Sequence, residues 1–254
     1  MTEHVNIAQD NGVLTLSLNR PDKKNALTDA MYGALADALE AAQDDPAVRV
    51  VAIRAEGDLF CAGNDIGDFM AAGGEHSDPN VFRFIRLLGK ARKPLIAGVQ
   101  GKAVGIGTTM LLHCDYVVLA DDAVLSTPFV GLGLVPEAAS SMMLPQRIGH
   151  QRAFAMLAMG ERVAAEKAFQ LGLANEVVAR TALDEALQAI AARIAQLPPG
   201  AVQATKALMQ DPDTVAAKMD EEIAIFSKRL QSPEAAEAFA AFMQKRAPDF
   251  SKFS

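Results

Sequence analysis

Two glycine-bearing turns and one acid carry most of the chemistry this sequence could perform. The first turn is Gly105-Ile106-Gly107, in VQGKAVGIGTTMLLHCD, and the second centres on Gly63, in FCAGND. Each reads as the bend between a strand and a helix, where backbone N–H groups face outward with the helix's positive end behind them. Brought together, the two turns would offer two N–H donors to one oxygen, which is an oxyanion hole. The alternative for either turn is tight packing alone, for which glycine suffices. A phosphate loop is excluded, because Gly101-Lys102 is followed by Ala103 rather than Ser or Thr. The dinucleotide fingerprint fails too: Met110 stands where a third glycine is needed, and Gly131-Leu132-Gly133 runs into Pro136. The acid is Glu137, in LVPEAASS. An apolar surround of Phe129, Leu132, Leu134, Val135 and Met142 would raise its pKa and exclude water. The alternative is an ordinary first-turn acid of a helix that Pro136 begins.

The remaining reactive side chains form no pattern of their own. His4, His76, His113 and His150 lack metal-ligand spacing, so no metal site is expected. His113 and Cys114 sit beside an apolar run and read as core or as support for a site, and Cys61 reads as packing beside the FCAGND turn. No Gly-x-Ser-x-Gly nucleophile elbow occurs.

The elements that must position these residues alternate between strand and helix. Residues 5–18 read as a hairpin turning at Asp10-Asn11-Gly12. A polar loop with Arg20, Lys23 and Lys24 follows, and then a helix over about 29–43 capped by Thr28. Buried strands are expected at 49–55, 94–99 and 115–120, with helices starting near Asn64-Asp65 and spanning 81–91 and 109–113. The stretch AAGGEHSDPN (71–80) reads as a surface loop of the kind that covers a site. Beyond Gln146 the pattern is mainly helical, broken at Pro198-Pro199-Gly200 and ending in three amphipathic helices. Alternation of this kind predicts an α/β fold with parallel crossovers. Residues 1–197 form its core and 198–254 a helical region.

Composition narrows the function classes. Half of the 254 residues are hydrophobic and 22% are charged, a balance that builds a core rather than a disordered chain. The net charge of −7 argues against a nucleic-acid partner, which calls for a basic face. No apolar run approaches the ~18 residues of a membrane span. Two cysteines, the absence of a secretory pattern and a C-terminal SKFS point to a reducing, cytoplasmic setting.

The chain resembles the enoyl-CoA hydratase/isomerase (crotonase) family over essentially its whole length. The matching pieces are NRPDKKNAL, VVAIRAEGDLFCAGNDI, VQGKAVGIGTTMLLHCD, STPFVGLGLVPEAASSMMLP and AFMQKRAPDF, in that order. The resemblance implies a crotonase-like spiral of ββα units with a C-terminal helical trimerisation region, as a homotrimer or a dimer of trimers. It implies an acyl-CoA substrate and no cofactor beyond that, the coenzyme A being part of the substrate. By position, Asn64 and Ile106 supply the oxyanion N–H groups. Lys23 and Lys24 meet the CoA phosphates, and Asp65 and Ile66 fall where main-chain bonds hold the adenine, with Ala62 beside them. Phe226 and Lys245 fall where a neighbouring subunit completes the CoA site. Phe129, Leu132, Leu134 and Met142 are expected to line the acyl pocket.

The resemblance also frames which reaction is possible. Hydratases of the family use two glutamates, at positions that here hold Thr109 and Phe129, and neither side chain is a base near neutral pH. Glu137 remains, in the Pro-Glu-x-x-Ser-Ser context of peroxisomal-type Δ3,Δ2-enoyl-CoA isomerases, which share Thr127–Phe129 and Gly63–Asp65 as well. One carboxylate suffices to move a proton from C2 to C4. The alternatives are an enoyl-CoA hydratase, or another acyl-CoA lyase or hydrolase of the same fold, or a non-catalytic CoA-binding protein.

Overall fold

The computed structural model describes residues 2–67 and 80–253. Residues 71–79 of the expected surface loop lie outside them.

Two sheets organise the chain. The larger has the strand order β1-β2-β3-β4-β6-β9: β1 Val5–Asp10, β2 Val13–Leu18, β3 Val50–Ala55, β4 Leu95–Val99, β6 Tyr116–Ala120 and β9 Glu176–Val178. The smaller joins β5 Lys102–Val104, β7 Val124–Ser126 and β8 Val163–Ala164. β1 and β2 form the expected antiparallel hairpin, in register from Val5↔Leu18 to Asp10↔Val13. Asn11 and Gly12 at its turn both have positive φ, the geometry that an Asn-Gly pair adopts at least cost. From β2 to β9 every neighbouring pair in the larger sheet is parallel. The chain steps repeatedly from the larger sheet to the smaller and back, as from β4 to β5 and from β6 to β7, with helical segments closing the turns.

The middle strands read as unbroken apolar runs because both of their faces are covered. In β3, Val51 and Ile53 face the main core, whereas Val50 and Ala52 face the opposite side with Ile96, Leu187 and Ala191. The main core packs α1 (Asp29–Asp44) and α2 (Asn80–Lys90) on the sheet through Met31, Leu35, Leu39, Phe84 and Ile85, all under 2% exposed. Thr28 caps α1 as expected, its side chain accepting from Met31 N–H.

A one-turn helix, α3 (Ile106–Thr109), runs into a 3-10 turn at Met110–His113. Then come α4 (Ser140–Ile148), α5 (His150–Leu157), α6 (Ala165–Gln170) and α7 (Leu183–Ala195). α7 covers the second face of the sheet. The proline break falls where expected, and α8 (Pro199–Met209), α9 (Pro212–Leu230) and α10 (Pro233–Met243) complete the chain. Met219, Phe226, Ala235 and Phe239 belong to the main core, so α9 and α10 share it rather than forming one of their own. Among the described residues no helix is long and apolar enough to cross a membrane.

Candidate active site

The two glycine turns meet. Cys61 forms a parallel bridge with Ala103, Cys61 N–H donates to Lys102 O (3.0 Å), and Val104 N–H donates to Cys61 O (2.9 Å). The fit leaves no room for side chains at the contact. A Cβ on Gly107 would lie 2.8 Å from the Cys61 Cβ, and one on Gly63, at φ +93°, would lie 3.2 Å from Val104 O. Asn64 N–H and Ile106 N–H therefore sit on adjoining turns. Leu27 pairs with the Gly63 and Asp65 sides of the strand, since Leu27 N–H donates to Gly63 O and Asp65 N–H to Leu27 O. That alternation leaves Asn64 N–H without an acceptor among the described residues. Ile106 is the first residue of its helix and so has no intrahelical acceptor.

Glu137 lies against α3. It is 5% exposed, and its Oε1 accepts a hydrogen bond from Thr109 Oγ1 at 2.5 Å. Among the described residues nothing hydrogen-bonds its Oε2, although that atom is buried. Burial drives the Glu137 pKa up to about 8; the Thr109 bond opposes the rise and the nearby Glu222 charge adds to it. Glu137 is not in a helix first turn. It precedes Ala138 and Ala139, both left-handed (φ +58° and +55°), and α4 starts only at Ser140. Phe129 and Leu134 are buried nearby in the chain, Leu132 and Met142 are half-buried, and the Phe129 ring stands 3.9 Å from where a Gly105 Cβ would be.

Several neighbours of the site give no strong local signal. Tyr32, 3% exposed on α1, donates its hydroxyl to Asn64 Oδ1. Burial pushes its pKa well above the usual phenol value, so the hydroxyl stays protonated. Burial likewise pushes Cys61 to about 12. His113 donates Nε2–H to Ala138 O at 2.8 Å, and burial holds its pKa down at about 4, which keeps the ring neutral. Glu222, on α9, accepts from Ala139 N–H (2.6 Å) and Ser141 N–H (2.9 Å). Its sequence signal is the buried stripe Met219-Glu222-Phe226 at helical spacing, in which one position is a carboxylate.

The cationic loop is fastened to the same floor. Ala62 N–H donates to Lys24 O (3.0 Å), so Lys23 and Lys24 are exposed at the rim of the Ala62–Ile66 segment. Buried Asn25, at φ +51°, accepts from Arg20 N–H and donates to Glu56 O and Leu59 O. The Asp65 carboxylate pairs with Arg20 at 2.7 Å. Ile66 is half-buried and opens a helical turn, as the Asn64-Asp65 signal suggests. Phe226 is 4% exposed within the core of its own chain, and Lys245 is an exposed left-handed residue just beyond α10. Among the described residues no cluster of His, Cys, Asp or Glu could hold a metal ion.

Two N–H groups on adjoining turns and a buried, proton-holding carboxylate hydrogen-bonded to the helix that one of them opens are the parts that stabilising an enolate and moving protons would call for. Comparison with known proteins identifies the family. The sequence profile described as Enoyl-CoA hydratase/isomerase matches residues 8–252. The 2,3-dehydroadipyl-CoA hydratase of Escherichia coli (strain K12) is 34% identical over 96% of this chain and 97% of its own. Enoyl-CoA delta isomerase 2 of Rattus norvegicus is 33% identical over 94% of this chain and 63% of its own. The crystal structure of an enoyl-CoA hydratase/isomerase from Pseudoalteromonas atlantica T6c superposes with a TM-score of 0.93 at 40% identity, covering 98% of this chain and all of that one. The chain belongs to the enoyl-CoA hydratase/isomerase family and has the crotonase-like fold.

Proposed function

We propose that the protein is a Δ3,Δ2-enoyl-CoA isomerase with Glu137 as its acid and base. The observation that carries this reading is the supply of carboxylates. Positions 109 and 129 hold Thr and Phe, and both oxygens of the other buried acid nearby, Glu222, are taken by backbone N–H groups. Glu137 keeps one oxygen without a partner among the described residues, and a raised pKa suits it to both accepting and returning a proton near neutrality.

The proposed reaction runs in two steps. Ionised Glu137 takes a proton from C2 of a 3-enoyl thioester. The C2–H electron pair delocalises onto the thioester oxygen, giving a dienolate held by Asn64 N–H and Ile106 N–H. Each such donor is worth roughly 10²–10³ in rate. Protonated Glu137 then delivers the proton to C4, the carbonyl re-forms and the double bond settles between C2 and C3. Thr109 fixes one carboxylate oxygen, leaving the other to move the proton. In this reading Lys23 and Lys24 meet the CoA phosphates, Ala62, Asp65 and Ile66 border the adenine, and Phe129, Leu132, Leu134 and Met142 line the acyl pocket. Lys245, exposed just beyond α10, completes the CoA site. A homotrimer or dimer of trimers is part of the proposal, supported by Leu208, Met209, Phe242 and Met243, which expose 57–89% of their surface on the C-terminal helices.

Parallel incubation with a 3-enoyl-CoA and a 2-enoyl-CoA tests it. Conversion of the first to 2-enoyl-CoA, with no 3-hydroxyacyl-CoA from the second, is expected. Rapid hydration of the 2-enoyl-CoA would instead mark a hydratase.

A further inference from the structure

We infer that Glu222 is a positioning residue for Glu137: through two backbone N–H groups it holds the left-handed turn that presents the Glu137 carboxyl to the site. This rests on the proposed role of Glu137, but the geometry stands independently. Ala138 and Ala139 are consecutive alanines at φ +58° and +55°, a conformation that crowds the Cβ of any residue but glycine. Both are fully buried, so the turn is not relaxed by solvent. A chain left to itself would drift out of it, and Glu137 would swing with it.

Three side chains oppose that drift. His113 Nε2–H holds Ala138 O, and Ser140 Oγ–H holds Glu137 O at 2.5 Å. Glu222 holds the other edge, with Oε2 on Ala139 N–H and Oε1 on Ser141 N–H. Of the three it comes from furthest along the chain, from a C-terminal helix that otherwise packs on α2 through Met219 and Val215. Glu222 is itself 5% exposed, and burial raises its pKa while the Ser141 and Ala139 bonds and Lys218 lower it. The simpler reading is a helix cap: an acid at the start of α4 satisfies free N–H groups and steadies the helix. A cap of that kind would change stability and leave turnover per folded molecule alone.

The test compares wild type, Glu222→Gln, Ala139→Gly and the double variant. Glutamine keeps the shape of the side chain, but its amide nitrogen cannot accept the second N–H. For Glu222→Gln we expect kcat for 3-enoyl-CoA isomerisation to fall on the order of 10²-fold, as misplacement by about an ångström does. KM should change less than about twofold. Glycine at 139 adopts the left-handed conformation without help, so the double variant should recover at least a third of the loss on a logarithmic scale. Recovery also guards against a Glu222→Gln chain that folds poorly. Unchanged kcat per folded molecule in Glu222→Gln, or a loss that Ala139→Gly does not relieve, overturns the inference.

A second readout does not need turnover. The infrared band of a protonated carboxyl that disappears in Glu137→Gln reports Glu137 directly. Thr109 hydrogen-bonds the Glu137 carboxyl, and beyond burial the nearby Glu222 carboxylate acts to raise its pKa. Its midpoint should move to lower pH in Glu222→Gln, and an unmoved midpoint counts against the inference. A wild-type protein inactive on 3-enoyl-CoA would sink the proposed reaction, while this titration would still decide the role of Glu222.

Discussion

Replacing Glu137 by Gln should make the protein more stable, increasingly so as pH rises. In the folded chain Glu137 keeps its proton up to about pH 8, whereas an ordinary glutamate loses it near 4.5. The folded state therefore binds more protons than the unfolded state between those values, and the stability associated with this group falls as pH rises through that window. Below about 4.5 the side chain costs nothing electrostatically. Each pH unit above that costs about 1.4 kcal/mol, giving about 3 kcal/mol at pH 7 and a ceiling of about 5 kcal/mol above pH 8. Glutamine carries no such cost. Its amide fits the Thr109 hydroxyl less well or better by a fixed amount, which displaces the two stability curves by a constant. The pH dependence of their difference isolates the carboxylate, because every other titrating group is shared. At about 2–4 °C per kcal/mol for a chain of this size, the gap in Tm should widen by on the order of 10 °C between pH 5 and pH 9. Thermal denaturation followed by circular dichroism across that range, at fixed protein concentration, measures it. A gap that stays constant with pH would refute the burial argument and with it the basis for a poised acid and base.

Other outcomes follow from the same geometry. Because the free enzyme must ionise Glu137, kcat/KM for a 3-enoyl-CoA should rise with pH to a plateau above about 8, and a profile already flat from pH 6 would contradict this. Thr109→Ala removes the hydrogen bond that favours the carboxylate, so the midpoint of that profile should move to higher pH. Asn25→Ala strips three hydrogen bonds from a buried left-handed position and should cost about 2–4 kcal/mol in denaturant melts, with weaker CoA affinity as the cationic loop loosens. Gly133→Ala places a Cβ 2.6 Å from Ala235 N at φ +71°, so α10 should lose its seat, seen as earlier proteolysis of the C-terminus.

What the sequence disclosed depended on how local the signal was. The hairpin was legible because Asn11-Gly12 and the flanking alternation act within a few residues. The strands at 50–55, 95–99 and 116–120 were legible as dense apolar runs. The small sheet was not, since β5, β7 and β8 are two or three residues long and hold no period, and β9 hides in a stretch that reads as helical. At the candidate site, Asn64, Ile106 and Glu137 stand out in the sequence because each belongs to a contiguous motif. The partners that set their geometry do not. Tyr32 reaches Asn64 across 32 positions and Glu222 reaches Ala139 across 83, separations that only the folded chain closes. Asn25 sat in plain view in NRPDKKNAL, but its burial depends on carbonyls from Glu56 and Leu59 that the motif does not contain.

The most direct test of a single carboxylate carrying hydrogen between two carbons is isotopic. A 3-enoyl-CoA deuterated at C2 is converted in single turnovers, and the product is read by NMR. Because Glu137 is shielded from solvent, deuterium should appear at C4 of the 2-enoyl-CoA, and Glu137→Gln should give no product. Product bearing only solvent hydrogen at C4 in every turnover, or oxygen at C3, would contradict the account.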